Sequence, residues 1–152
     1  MPPQVVALDY KKKEMIPFII ILSTAVIYAL IRAKHDYFVP DGKWKLFAFI
    51  EGVFFDLIIS ALTVAAFDLS WWMGFPLAAI FAFVFWLFFD CAVGYYFSGS
   101  ILYLGNSAFD LKMRKMFLYN KPIFGWKSGA LILILFKLFW IALLTLSYIS
   151  LL

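Results

Sequence analysis

Residues 71–97 read WWMGFPLAAIFAFVFWLFFDCAVGYYF, and this stretch decides the fold. Asp90 is its only charged side chain, and most of the remaining residues are aromatic or aliphatic. A helix needs about 20 such residues to cross the hydrocarbon core of a bilayer, which is roughly 30 Å thick. Pro76 falls within the first turns, where a missing N–H costs little. The stretch therefore predicts a transmembrane helix, with length to spare for tilt or for an interfacial start.

Three further apolar runs, at 15–31, 46–67 and 129–152, share this character. The whole chain of 152 residues is 66% hydrophobic and only 14% charged, whereas soluble domains are roughly 25% charged. A soluble fold of this size has too much surface to hide so many apolar side chains. We therefore predict an all-α, polytopic transmembrane bundle of four spans, made of a polar N-terminal tail (1–14) and a single transmembrane domain (15–152).

The connections between the runs differ greatly in length. Asp68 and Ser70 form a very short turn, so the second and third runs should make an antiparallel helical hairpin. The connector 98–128 is long and mixed in polarity, and residues 108–119 within it predict a short amphipathic helix at the membrane surface before the last span.

The basic residues flank the apolar runs, as topology determinants and anionic-lipid contacts do, and this arrangement argues against a nucleic-acid partner. Three Lys or Arg precede the first run, four lie in the first connector, none in the second and five in the third. The positive-inside rule then places both termini outside the cytoplasm, most simply across a bacterial inner membrane. The lysines at 11–13 oppose this orientation, and an alternative leaves run 15–31 in the interface with the N-terminus inside.

Four charged residues lie within the apolar runs: Glu51, Asp56, Asp90 and Lys137. A charge near the bilayer centre costs at least about 2.5–3.5 kcal/mol, so such groups should face the bundle interior and find partners. A rise of about 1.5 Å per residue puts Asp56 roughly 15 Å, Lys137 roughly 12 Å and Asp90 roughly 10 Å from the same membrane face. We therefore predict a buried charge cluster centred on Asp56, Asp90 and Lys137, with Glu51 as its member nearest the membrane face.

Small and polar residues that recur at helical spacing predict a helix-packing face on the second and third spans. They are Gly52, Ser60, Thr63, Gly74, Ala78, Ala82 and Gly94. Two interpretations of the charge cluster stay open beside it. The charges either clamp the helices in register, or they form a path for protons or ions.

Other kinds of site find little support. His35, Asp36 and Asp41 gather near one membrane face as candidate metal ligands, but one histidine with scattered carboxylates is more typical of a solvated loop, so we predict no metal site. No nucleotide-binding loop, zinc-ligand pair or nucleophile elbow occurs in the sequence, so we expect no cofactor and no enzymatic activity.

Two short segments, FFDC at 88–91 and LYLGNSAFD at 102–110, resemble small multi-span proteins encoded in phages and prophages of Bacteroidetes. Those proteins carry an aromatic-Asp span followed by a similar Tyr-Leu-Gly segment. The resemblance implies no activity. A phage setting would favour a holin, the small protein that permeabilises the host membrane before lysis, and would also admit superinfection exclusion or a role in the virion membrane.

Three functions follow from these observations. The first is a non-enzymatic membrane protein that acts by assembling with itself or with partner membrane proteins in the lipid bilayer. The second is holin-like permeabilisation or ion and proton conduction. The third is a membrane enzyme acting on a lipid-soluble substrate near the level of Asp90.

Overall fold

The computed structural model describes residues 3–38, 45–100 and 128–151, and throughout these segments the chain is helical except at short turns. The helices are α1 (Pro3–Phe38), α2 (Lys45–Ala66), α3 (Gly74–Ser98) and α4 (Ser128–Leu151), with a 3-10 turn at Trp71–Met73 before α3. The described segments contain no strand, so the predicted all-α class is confirmed. The predicted interfacial helix at 108–119 lies outside the described residues.

Three stretches of helix are long and apolar enough to cross a membrane: Met15–Phe38, Trp71–Ser98 and Leu131–Leu151. They coincide with three of the four predicted runs, as expected of a membrane protein. The fourth run corresponds to α2, a helix of 22 residues. Its crossing of the bilayer, and with it the count of four spans, stays a prediction.

Helix α1 is longer than the run that predicted it, because it contains 36 residues and extends in both directions. Its first turns fall in the stretch interpreted as a polar tail, where Lys and Glu are good helix formers despite their charge. At its other end, Arg32 Nε lies 3.4 Å from Asp36 Oδ1, one turn further along. Ion pairs at this spacing support a helix, so the polar residues after Ile31 continue α1 instead of ending it.

Helix α3 lies at the centre of the bundle, with α1 packed along it most extensively and α2 and α4 also in contact with it. The face of α1 that is buried carries a stripe spaced four residues apart: Ile21, Ala25, Ala29 and Ala33 are all fully buried. Small side chains at this spacing let two helix backbones approach closely. This stripe was not predicted from the sequence, in which the predicted packing face lies on the second and third spans alone.

Helices α2 and α3 form the predicted antiparallel hairpin. Asp68 adopts a left-handed conformation with φ of 52°, which Asp tolerates better than most residues. The next amide, Leu69 N–H, donates to Val64 O at 3.0 Å and closes the end of α2. Beyond the turn, Val64 packs against Gly74, and two turns deeper the rings of Phe55 and Phe81 lie 6.0 Å apart.

Candidate functional site

The most enclosed charged group in the described residues is the ammonium of Lys137, whose side chain is 1% exposed. Its Nζ donates to Asp90 Oδ2 at 2.5 Å and to the carbonyl oxygen of Trp86 at 3.3 Å. The same Nζ lies 4.1 Å from the centre of the Trp86 ring. An ammonium has three protons to donate, and an aromatic face adds further attraction for a cation. The cation is therefore enclosed by partners on α3.

Local sequence explains why α3 and α4 bring these groups together. Trp86 and Asp90 stand four residues apart, so both lie on one face of α3. One turn along the same contact, the rings of Phe83 and Trp140 stack with their centres 6.0 Å apart. The Trp86 ring lies against the ammonium, and the ring pair of Phe83 and Trp140 continues the contact between α3 and α4.

Asp56 does not join this pair, so the predicted cluster of three does not form. The reason is that α2, which carries Asp56, and α4, which carries Lys137, pack against different sides of α3. Asp90 follows Phe81 by nine residues, which at 3.6 residues per turn is a rotation of about 180°. Since Phe81 faces Phe55 on α2, α2 and α4 lie on opposite sides of α3. Equal depth in the membrane therefore does not bring Asp56 and Lys137 together.

The surroundings of Asp56 are sparse. Ser60 Oγ donates to Asp56 Oδ1 at 3.2 Å, and within the described part of the chain no Lys or Arg lies at ion-pair distance from this carboxyl group. Asp56 is partly buried. One turn before it, a Cβ placed on Gly52 would meet none of the described residues within 4 Å. One and two turns after it, Ser60 and Thr63 are 2% and 5% exposed. Among these segments of the chain, the inner face of α2 is thus covered at Ser60 and open at Gly52.

The predicted packing face is reproduced in part. Ser60, Thr63 and Gly94 are buried and Gly74 contacts α2, whereas Ala78 is only partly buried. Two members make no close contact with another helix among the described residues: a Cβ on Gly52 would meet none of them within 4 Å, and Ala82 is exposed. Residues four apart drift by about 40° around a helix, so by Ala82 the row that starts at Gly74 has turned by about 80° out of the contact.

Glu51 also lies outside the buried cluster in which it was placed. Its side chain is 61% exposed, and Arg32 Nη1 of α1 donates to its Oε2 at 3.2 Å. Arg32 also pairs with Asp36, whose carboxylate lies 3.6 Å from His35 Nδ1. Glu51 comes early in α2, near the end of α1, and this proximity explains the pairing. Sequence reasoning missed Arg32 because it was assigned to a connector; its spacing of four from Asp36 was the available signal.

The metal candidates gain no third ligand in the described structure. His35 and Asp36 lie side by side on α1, and Asp41 lies outside the described residues. No group of three His, Cys, Asp or Glu side chains suited to a metal ion occurs within 3–38, 45–100 and 128–151.

Tyr28 of α1 is a further polar residue of the interior that the sequence analysis did not single out. Its ring stacks on Phe55 with a centre-to-centre distance of 4.3 Å and lies 5.3 Å from Phe85. Its hydroxyl oxygen is buried, and none of the described groups accepts or donates a hydrogen bond there. Tyr28 joins α1, α2 and α3 by ring contact alone.

Comparisons of the chain with protein-family models, with curated proteins and with solved structures find no match. The resemblance to phage and prophage membrane proteins therefore stays a prediction. Its first segment, 88–91, lies on α3 around Asp90, and its second segment, 102–110, lies outside the described residues.

Proposed function

We propose that this protein is a small, non-enzymatic membrane protein that crosses the bilayer four times and acts by assembling with itself or with partner membrane proteins. The case for α2 as the fourth span rests on its length and packing. Its 22 residues extend about 33 Å at 1.5 Å per residue, enough to cross the hydrocarbon core. It runs antiparallel to α3, and its outer face exposes large apolar side chains, namely Phe54, Leu57, Ile58 and Leu62.

Four spans put both termini on one side of the membrane. The Lys and Arg count makes that side non-cytoplasmic, and a bacterial inner membrane is the setting we propose. Arg32 and Lys34 end the first span on the basic, cytoplasmic side in this arrangement.

One observation carries the proposal of assembly: the carboxyl group of Asp56 has only a serine hydroxyl as a described partner. Asp56 lies roughly 15 Å along α2 from its start, near the middle of a span. A carboxylate at the bilayer centre costs at least about 2.5–3.5 kcal/mol unless it is paired. Because no described residue fills the space beside it at Gly52, a group from another chain can reach this carboxyl. Contact with a second protein would remove the cost, so assembly is favoured.

The ion pair of Lys137 and Asp90 supports a clamp in preference to a conduction path. A path for protons or ions needs water at the charged groups, whereas the side chain of Lys137 is 1% exposed and surrounded by Asp90 and Trp86. A pair enclosed in this way fixes the register of α3 against α4. The ammonium of this pair is withdrawn from any water-filled channel.

A photo-crosslinking experiment in cells tests the proposal. The photoreactive residue p-benzoylphenylalanine is placed at Val53, an exposed position next to Gly52, and in a matched variant at Phe54. Phe54 lies about 160° around α2 from Asp56, so it faces lipid on the opposite side. We expect adducts with protein from position 53 and few from position 54.

The same expression culture carries a membrane-potential dye, which separates assembly from permeabilisation. Protein adducts at an unchanged potential support assembly. A collapse of the potential at comparable abundance, without protein adducts from position 53, would refute assembly and favour holin-like permeabilisation.

A further inference from the structure

We infer that the opening beside Asp56 receives the Lys or Arg side chain of a transmembrane helix belonging to a different membrane protein. The Asp56 opening is defined here by Gly52, Val53, Asp56 and Ser60. This inference rests on the proposed function, since it specifies the chemistry of the partner in the assembly. It is carried by the charge, the depth and the space at this point of α2.

The charge at the opening calls for a cation. Within the same molecule, Asp90 shows what a carboxylate at comparable depth acquires: an ammonium at 2.5 Å. Asp56 accepts only the hydroxyl of Ser60 at 3.2 Å within the described structure. In surroundings of low dielectric constant, a neutral hydrogen bond compensates a carboxylate far less than an opposite charge does. An ammonium or guanidinium group is therefore the complementary occupant.

The depth of Asp56 determines where that cation comes from. At roughly 15 Å from the start of α2, a basic side chain reaches it from a helix that itself crosses the membrane. Soluble proteins and lipid headgroups do not present a cation at that level. The partner is therefore a membrane-spanning helix with Lys or Arg near its middle.

A second copy of this chain fits the opening less well. Among the described residues of the apolar spans, Lys137 is engaged by Asp90 and Trp86. Arg32 binds Asp36 and Glu51 toward the end of α1. Presenting either residue to the Asp56 opening of another copy would break interactions within its own bundle. Lys34 is exposed, but it lies in the last turns of α1, at the end of the span and away from the depth of Asp56. A different protein avoids this loss.

The space at the opening suits a close helix contact. A Cβ placed on Gly52 would meet no atom of the described helices within 4 Å, and Val53 beside it is 44% exposed. Glycine lets a second backbone approach, as small residues do at helix contacts in membranes. The buried Ser60 bounds the opening on one side, so the incoming cation lies between Gly52 and Ser60, at the level of Asp56.

Designed transmembrane peptides test this inference on the full-length protein in lipid nanodiscs. The probes are polyleucine helices of about 20 residues that carry Lys, Gln or Leu at the central position and a fluorophore at one end. Binding is measured by energy transfer to a dye on the protein. We expect the Lys peptide to bind at least about tenfold more tightly than the Leu peptide, a difference of about 1.4 kcal/mol, with the Gln peptide close to Leu.

Three variants locate the effect. Asp56→Asn should abolish the preference for Lys, and Asp68→Asn should leave it unchanged, because the Asp68 carboxylate lies in the turn and Asn also tolerates its left-handed backbone. Gly52→Leu keeps the carboxylate but fills the opening, and it should weaken binding of the Lys peptide about tenfold, again about 1.4 kcal/mol. This variant keeps the test decisive if Asp56→Asn fails to fold.

Equal binding of the Lys and Leu peptides, or a preference for Lys that survives both Asp56→Asn and Gly52→Leu, would overturn the inference. Comparison with the crosslinking at Val53 separates the two proposals. Protein adducts without a preference for Lys leave assembly standing and refute the cationic partner. Absence of both refutes assembly as well, and adducts between copies of this chain identify self-association in place of the partner inferred here.

Discussion

Replacement of Lys137 by Met should destabilise the bundle by about 3 kcal/mol. The change keeps most of the side-chain volume but removes the ammonium that bonds Asp90 and Trp86 and lies over the Trp86 ring. Breaking a buried ion pair from one side costs about 3–5 kcal/mol, because the other charge stays behind without compensation. We take the lower end because the side chain of Asp90 is 26% exposed.

A double-mutant cycle isolates the contribution of the pair itself. Asp90→Asn should cost about 2 kcal/mol, since its amide oxygen still accepts from Nζ but no longer balances the charge. The double variant should cost only about 3 kcal/mol, because it removes both charges. The coupling energy is then the sum of the two single costs minus the double cost, or about 2 kcal/mol.

Reversible unfolding by SDS in mixed micelles, followed by helical circular dichroism, measures these free energies. Leu138→Met serves as the control, because Leu138 is 45% exposed and the change should alter stability by less than about 0.5 kcal/mol. A coupling energy below about 0.5 kcal/mol would refute the reasoning, since residues in contact through a strong pair couple by more than that.

Three further predictions use the same unfolding assay. Ala29→Leu inserts bulk into the contact between α1 and α3 and should cost about 1–3 kcal/mol, whereas Ile27→Phe on the 58% exposed side of α1 should have little effect; equal costs would show that the alanine stripe is not a tight contact. Tyr28→Phe removes a buried hydroxyl without a described partner, so it should leave stability unchanged or raise it by up to about 1 kcal/mol, and a loss above that size would reveal a partner. Tyr95→Phe, at a 63% exposed position, is its control. Arg32→Gln breaks ion pairs near the end of α1 and should cost no more than about 1 kcal/mol, falling as salt is added; a salt-independent loss would contradict this account.

Much of the bundle could be predicted from the sequence because lipid imposes a simple rule on helices. Long apolar runs cross, charges within them seek partners, and a two- or three-residue break forces a hairpin. The pairing of Asp90 with Lys137 also agreed with depth, since both were placed at similar distances from one membrane face. These features depend on position along a helix axis, which residue number gives directly.

The remainder depends on rotation about the axis and on which helices are neighbours. Asp56 was placed with Lys137 because their depths agree, yet the two residues lie on opposite sides of α3. Ala82 was predicted to pack because it lies eight residues after Gly74, but over eight residues the helix turns this position away from the neighbouring helix. The alanine stripe of α1 could not be predicted in the same way. Alanine is common in apolar runs, and it indicates a close contact only when the neighbouring helix is known.

The ion pair on α3 and α4 also constrains the order of events during synthesis. Asp90 and Lys137 are separated by 47 residues along the chain, so the ribosome completes the acid well before the base. Until α4 arrives, α3 presents a carboxyl group to lipid without its cation. The pair therefore forms only after α4 has been made, so the register between α3 and α4 is fixed late in synthesis.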